Sequence, residues 1–81
     1  SDVCSSDLIE ELVTNGEPRG LKYIGILEKG SYFFPFLNDL YYIEENYPYM
    51  KKVFDSDEMG YKEFKIKIFE IDYKNFHELN N

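Results

Sequence analysis

Carboxylates and lysines are interleaved toward the C-terminal end in a way that could support metal-assisted hydrolysis. Two acid-x-Lys triplets occur, Glu63-Phe64-Lys65 and Asp72-Tyr73-Lys74, and Glu70 precedes Asp72 by two positions. In such chemistry the carboxylates hold a divalent cation and the Lys orients the attacking water. On a strand, side chains two apart share a face, so Glu70 and Asp72 could also act as an acid-base pair. Each arrangement has a simpler reading. The triplets pair charge on the solvated face of a strand, and Asp72 ends the strand and caps the helix that follows.

Restriction-type nucleases carry a triplet of this kind with a further Asp upstream. Here Asp57 lies very close to Glu63 and no Pro-Asp dipeptide precedes the triplet. The group Glu63, Lys65, Glu70 and Asp72 is therefore the candidate site of a nuclease-like enzyme tail, and no catalytic residue is assigned. A calcium loop starting at Asp55 would use Asp57 and Gly60, but Met59 and Ile66 stand where oxygen ligands are needed. His77 is the only histidine and Arg19 the only arginine, and neither has a companion that suggests a ligand set. Gly16, Gly20 and Gly25 lack the spacing of a phosphate-binding loop. Ser31 has no nearby base. No cofactor is implied.

Aromatic residues are the other conspicuous group, with eight Tyr and seven Phe. Tyr32, Phe34 and Phe36, then Tyr41, Tyr42, Tyr47 and Tyr49, form the candidate interaction surface. Apolar side chains of this kind either fill a core or form a patch that another protein covers. Codon bias offers a duller origin. The chain has no Ala, Trp or Gln, and Lys outnumbers Arg, as an AT-rich genome would produce.

The formal net charge of −7 argues against nucleic acid as a partner, since phosphate binding needs clustered Lys and Arg. The longest apolar run, Tyr32 to Leu37, is far short of the roughly 18 residues of a membrane span. The expected partner is protein, either an upstream part of the same parent or another chain, and the default compartment is the cytoplasm.

Residues 1–8, Ser1-Asp2-Val3-Cys4-Ser5-Ser6-Asp7-Leu8, resemble in order the translation of a common short-read sequencing adapter. On that reading they are a non-native leader, and residues 9–81 form a single small domain or part of one. The chain is then a C-terminal piece of a larger protein. The leader would take with it the only cysteine, Cys4, leaving no thiol chemistry.

Several short elements must position these residues. Ile9, Leu12 and Val13 recur at helical spacing, with Asn15-Gly16 as a C-cap. Leu21 to Glu28 reads as a strand, with a turn at Glu28 to Ser31. Tyr32 to Leu37 reads as its antiparallel hairpin partner, limited to an edge by Pro35. Asn38 or Asp39 starts a short helix carrying Leu40, Ile43 and Tyr47. Pro48 opens a second, carrying Tyr49, Met50, Val53 and Phe54.

Tyr61 to Tyr73 reads as a long strand with Phe64, Ile66 and Ile68 on one face and Glu63, Lys65 and Lys67 on the other. At Phe69 the apolar pattern changes face, which implies a bulge or burial on both sides. Asp72 caps a last helix with Tyr73, Phe76 and Leu79 inward. The expected fold is α+β: a small antiparallel sheet of about three strands with short helices on one face. The expected function is a non-catalytic packing or interaction segment of a larger soluble protein. The alternatives are the nuclease-like enzyme tail and a small acidic protein-binding module of the immunity or nucleic-acid-mimic type.

Overall fold

A computed structural model describes residues 5–28 and 35–79. The elements are α1 (Ser5–Gly16), β1 (Tyr23–Leu27), α2 (Leu37–Tyr42), β2 (Met50–Asp55), β3 (Ile66–Ile71) and α3 (Tyr73–Leu79), with 3-10 turns at Glu17–Arg19 and Glu44–Asn46. The fold is α+β, as the residue pattern implies. A three-stranded antiparallel sheet in the order β1-β3-β2 carries the helices on one face. Because β3 lies antiparallel to both neighbours, β1 and β2 run parallel to each other, and the connection between them carries α2.

Side-chain alternation divides the sheet into two faces. The inner face sets Ile24 beside Phe69, and Met50 beside Ile71. These residues are buried with Ile9 and Val13 of α1, Leu40 and Tyr41 of α2, Tyr47, Tyr49 and Phe76. Tyr49 stands edge-on between Tyr47, with centroids 6.3 Å apart, and Phe76, at 4.9 Å. That geometry adds to plain area burial.

α1 ends at Gly16, where the sequence places its C-cap, but Gly16 keeps right-handed helical angles. The chain continues through a 3-10 turn, and Gly20 ends it in the left-handed region at φ 84°, a conformation that glycine adopts without a side-chain clash. Gly16 answers a different need, because a β-carbon there would lie 2.4 Å from the side chain of Leu21.

Three expectations need correction. Of the second strand at Tyr32 to Leu37, residues 32–34 lie outside the described residues, as does most of the turn before it. Pro35 and Phe36 form a turn and Leu37 begins α2, so the strand beside β1 is β3. Pro35 suits this turn, with its oxygen accepting the amide of Asn38 at 3.1 Å. The helix opened by Pro48 is instead β2. Its register slips between Lys52 and Phe54, and this bulge breaks the two-residue period, so Met50, Val53 and Phe54 mimic helical spacing. Finally, the change of apolar face at Phe69 is not a bulge in β3, whose register with β1 is unbroken. Ile66 and Ile68 look outward while Lys67, Phe69 and Ile71 look inward, and the irregularity lies in β2.

Candidate functional site

The inner face is apolar at one end and charged at the other. Without the bulge, Phe54 would follow Met50 and Lys52 inward. The extra residue, Val53, turns Phe54 outward opposite Ile68 and brings Asp55 inward opposite Lys67. Asp55 is 9% exposed and receives the Lys52 ammonium at 3.0 Å and the amide of Asp57 at 3.0 Å. Lys52 also reaches Glu44 at 3.2 Å and Glu58 at 2.7 Å. Lys67 meets the other oxygen of Glu44 at 3.2 Å, donates to the Tyr41 carbonyl at 2.7 Å and lies 4.4 Å from the centre of the Tyr41 ring.

One carboxylate of the 3-10 turn thus bridges two lysines on adjacent strands. Hydrogen bonding from Lys52 holds the Asp55 carboxyl below its usual range. The bond that Lys52 donates to Glu58, against the pull of desolvation, holds Lys52 above its own. Such mutual satisfaction is what inward-facing charges require. Each charged group is already paired, so the network ties α2 and its 3-10 turn to the sheet.

Ser56, next to Asp55, is fully buried. Its hydroxyl donates to the Phe64 carbonyl at 3.1 Å and accepts the Ile66 amide at 2.9 Å. It thereby closes the loop between β2 and β3. Neither Asp55 nor Ser56 stands out from a polar run of sequence. The available signal was that Asp55 ends a Lys-Lys-Val-Phe-Asp stretch with strand character.

The acid and lysine candidates are drawn apart. Glu63 is exposed before β3, where it lines a shallow cleft of about 290 Å3 with Leu27, Glu28, Phe64 and Lys65. Lys65 approaches Asp57 at 3.7 Å. Glu70 lies near the other end of β3, between Tyr23 and Lys51. Asp72 caps α3, accepting the Asn75 amide at 3.1 Å, and pairs with Lys51 at 3.3 Å. The Asn75 amide, then Lys51, hold its carboxyl below the usual range. Among the described residues no three His, Cys, Asp or Glu side chains are placed to hold a metal ion. His77 pairs with Glu17 at 2.8 Å across the surface.

The aromatic candidates divide. Tyr32 and Phe34 lie outside the described residues. Tyr41, Tyr47 and Tyr49 belong to the core, and Phe36 packs against it half-buried. Burial pushes the Tyr41 and Tyr49 phenols up. Among the described candidates only Tyr42 is open, with its hydroxyl donating to the Glu28 carbonyl at 3.0 Å.

The exposed apolar surface is elsewhere, on the outer face of the sheet. Tyr23 is 51% exposed, Leu27 56% and Val53 53%. Phe54, Ile66 and Ile68 lie half-buried among them. Beyond β3's start, Tyr61 and Phe64 stack with centroids 5.4 Å apart and remain half-exposed. Helix burial cannot explain these residues, because every helix lies on the inner face. Their signal in the sequence was that strands β1 and β3 are apolar at successive as well as alternate positions, a pattern of strands with two covered faces.

No family model, curated protein or solved structure matches the chain. Among the described residues no helix is long and apolar enough to cross a membrane.

Proposed function

We propose that the chain is a non-catalytic packing and interaction segment of a larger protein assembly, with the outer sheet face as its contact surface. The observation that supports this reading is the apolar row across all three strands: Tyr23 and Leu27 on β1, Ile66 and Ile68 on β3, and Val53 and Phe54 on β2. Apolar surface left in water forgoes roughly 25 cal/mol per Å2 of potential burial. A contiguous patch of this kind marks a contact surface. Its partner is protein. The rim carries both signs, Lys51 beside Glu70, and the chain's net charge of −7 disfavours a phosphate backbone.

Photo-crosslinking in cells tests the proposal. A photoreactive side chain at Leu27 or Val53 should give discrete heavier adducts with another protein. The same group at Glu11 or Lys74, both exposed away from this face, should give none. Equal labelling at all four positions, or no adduct at any, overturns the reading.

A further inference from the structure

The two edges of the sheet differ in a way that points to self-association. β2 is a guarded edge. It carries Lys51 and Lys52 and is kinked by the bulge at Val53. Charge and bulges are the devices that keep edge strands from pairing with other chains. β1, Tyr-Ile-Gly-Ile-Leu, has no charge, no proline and no bulge. No described strand lies on its far side.

The direction of its free backbone groups follows from the ladder. The Lys22 carbonyl accepts the Ile71 amide at 2.9 Å, and the Glu28 amide donates to Lys65 at 3.0 Å. Even-numbered residues therefore bond toward β3. Tyr23, Gly25 and Leu27 direct their N–H and C=O groups away from β3, to the edge where no described strand lies.

We propose that β1 pairs antiparallel with β1 of a second copy about a two-fold axis at Gly25. That register aligns Gly25 with Gly25, Ile24 with Ile26 of the second copy, and Tyr23 with Leu27 of the second copy. It also places Lys22 opposite Glu28 of the second copy, twice by symmetry. Neither Lys22 nor Glu28 has an ion-pair partner within its own copy among the described residues.

The match is specific to the register. Sliding the axis to Ile24 sets Lys22 against Ile26, and sliding it to Ile26 sets Glu28 against Ile24. Only the Gly25 register overlaps all five strand residues and pairs both charges. Tyr23 then lies diagonal to the glycine of the second copy, where an aromatic ring covers the gap that a missing side chain leaves. Such a two-fold contact is closed, so the product is a six-stranded sheet and not a fibre. This surface is the edge of the sheet and is separate from the outer face, so either proposal can fail alone.

Sedimentation of the whole chain in 0.15 M salt, which screens the repulsion between like-charged copies, tests the inference. A strand-edge contact this small should give a monomer–dimer equilibrium with a dissociation constant on the order of 0.1 mM. Lys22→Glu and Glu28→Lys should each weaken it about tenfold by opposing like charges in two places. The double exchange should restore it. Hydrogen exchange on the unmodified chain adds a measurement that needs no variant: the Tyr23, Gly25 and Leu27 amides should gain protection as concentration rises. A chain that stays monomeric at 1 mM overturns the proposal. So does a dimer that is indifferent to both single exchanges, or one that leaves those three amides unprotected.

Discussion

Ile68 and Phe69 are neighbours in β3 and belong to different surfaces. Phe69 is fully buried between Ile24 and Lys52, under the helices. Ile68 lies between Gly25 and Phe54 on a face that no described helix covers. The residue types are alike and the strand is the same, so composition does not separate the two faces. What separates them is that the inner face is finished. Its apolar part meets three helices, and its polar part is closed by Glu44, Asp55 and their lysines. The outer face is equally apolar along β1 and β3 and has no such closure among the described residues. A face built for water would alternate with polar residues.

The largest expected effect breaks the comparison at these neighbours. Phe69→Ala should cost about 3–5 kcal/mol, through lost burial and the cavity left behind. That is most or all of what a chain this short has to lose. Ile68→Ala removes a half-buried group beside Gly25, which offers it no side chain, and should cost about 1 kcal/mol. Urea midpoints of the two variants check the ratio. Equal losses would mean that the outer face is covered as well.

A second, smaller effect concerns the charged end of the inner face. Asp55→Ala strips Lys52 and the Asp57 amide of a shared acceptor and should cost about 1–3 kcal/mol. The folded Asp55 carboxyl is more acidic than usual, so on acidification the unfolded chain binds the proton first. The contribution of this carboxylate is therefore complete above the unfolded carboxyl value of about 4 and is lost as pH falls through the lower folded value. Asp55→Asn should flatten the acid limb of the stability curve, measured by thermal melts between pH 2 and pH 6. An unchanged limb would show that Asp55 is not held by Lys52 in solution.

The fold class was legible because the strongest local signals survive folding. Ile9 and Val13 do share a buried helix face, and Tyr73 and Phe76 do begin the last helix behind an Asp72 cap. Two features were illegible for one physical reason, which is that a bulge in one strand is decided by its neighbour. The slip at Val53 made β2 resemble a helix and hid Asp55 in what looked like a solvated loop. The run Tyr61 to Tyr73 was long enough to suggest an extended strand, yet the strand itself spans only Ile66–Ile71. The acid-x-Lys triplets were visible as sequence. Their separation was not, since Glu63 and Asp72 fall on opposite sides of that paired segment. Likewise Tyr47 and Tyr49 share an alternation that suits either surface or core, and only the arrival of Phe76 from α3 decides it.

The smallest effect sharpens what a finished face means. Among the described residues, the polar groups on or beside the inner face have partners: Ser56 bonds both ways, and Lys67 bonds to Glu44 and to the Tyr41 carbonyl. The Tyr49 hydroxyl and the Asn38 side-chain oxygen on α2 are the exceptions, buried and without a hydrogen-bond partner there. A buried hydroxyl that has lost water and found no partner carries its desolvation cost uncompensated. Tyr49→Phe removes that hydroxyl and keeps the ring that packs edge-on against Tyr47 and Phe76. It should leave the urea midpoint unchanged or raise it, by up to about 1 kcal/mol of stability. Tyr42→Phe is the matched control on the open surface, where the hydroxyl bonds to Glu28 in contact with water, and it should change stability by less than about 0.5 kcal/mol. A clear loss in Tyr49→Phe would mean that the hydroxyl has a partner after all, and would place a polar contact in the middle of the aromatic core.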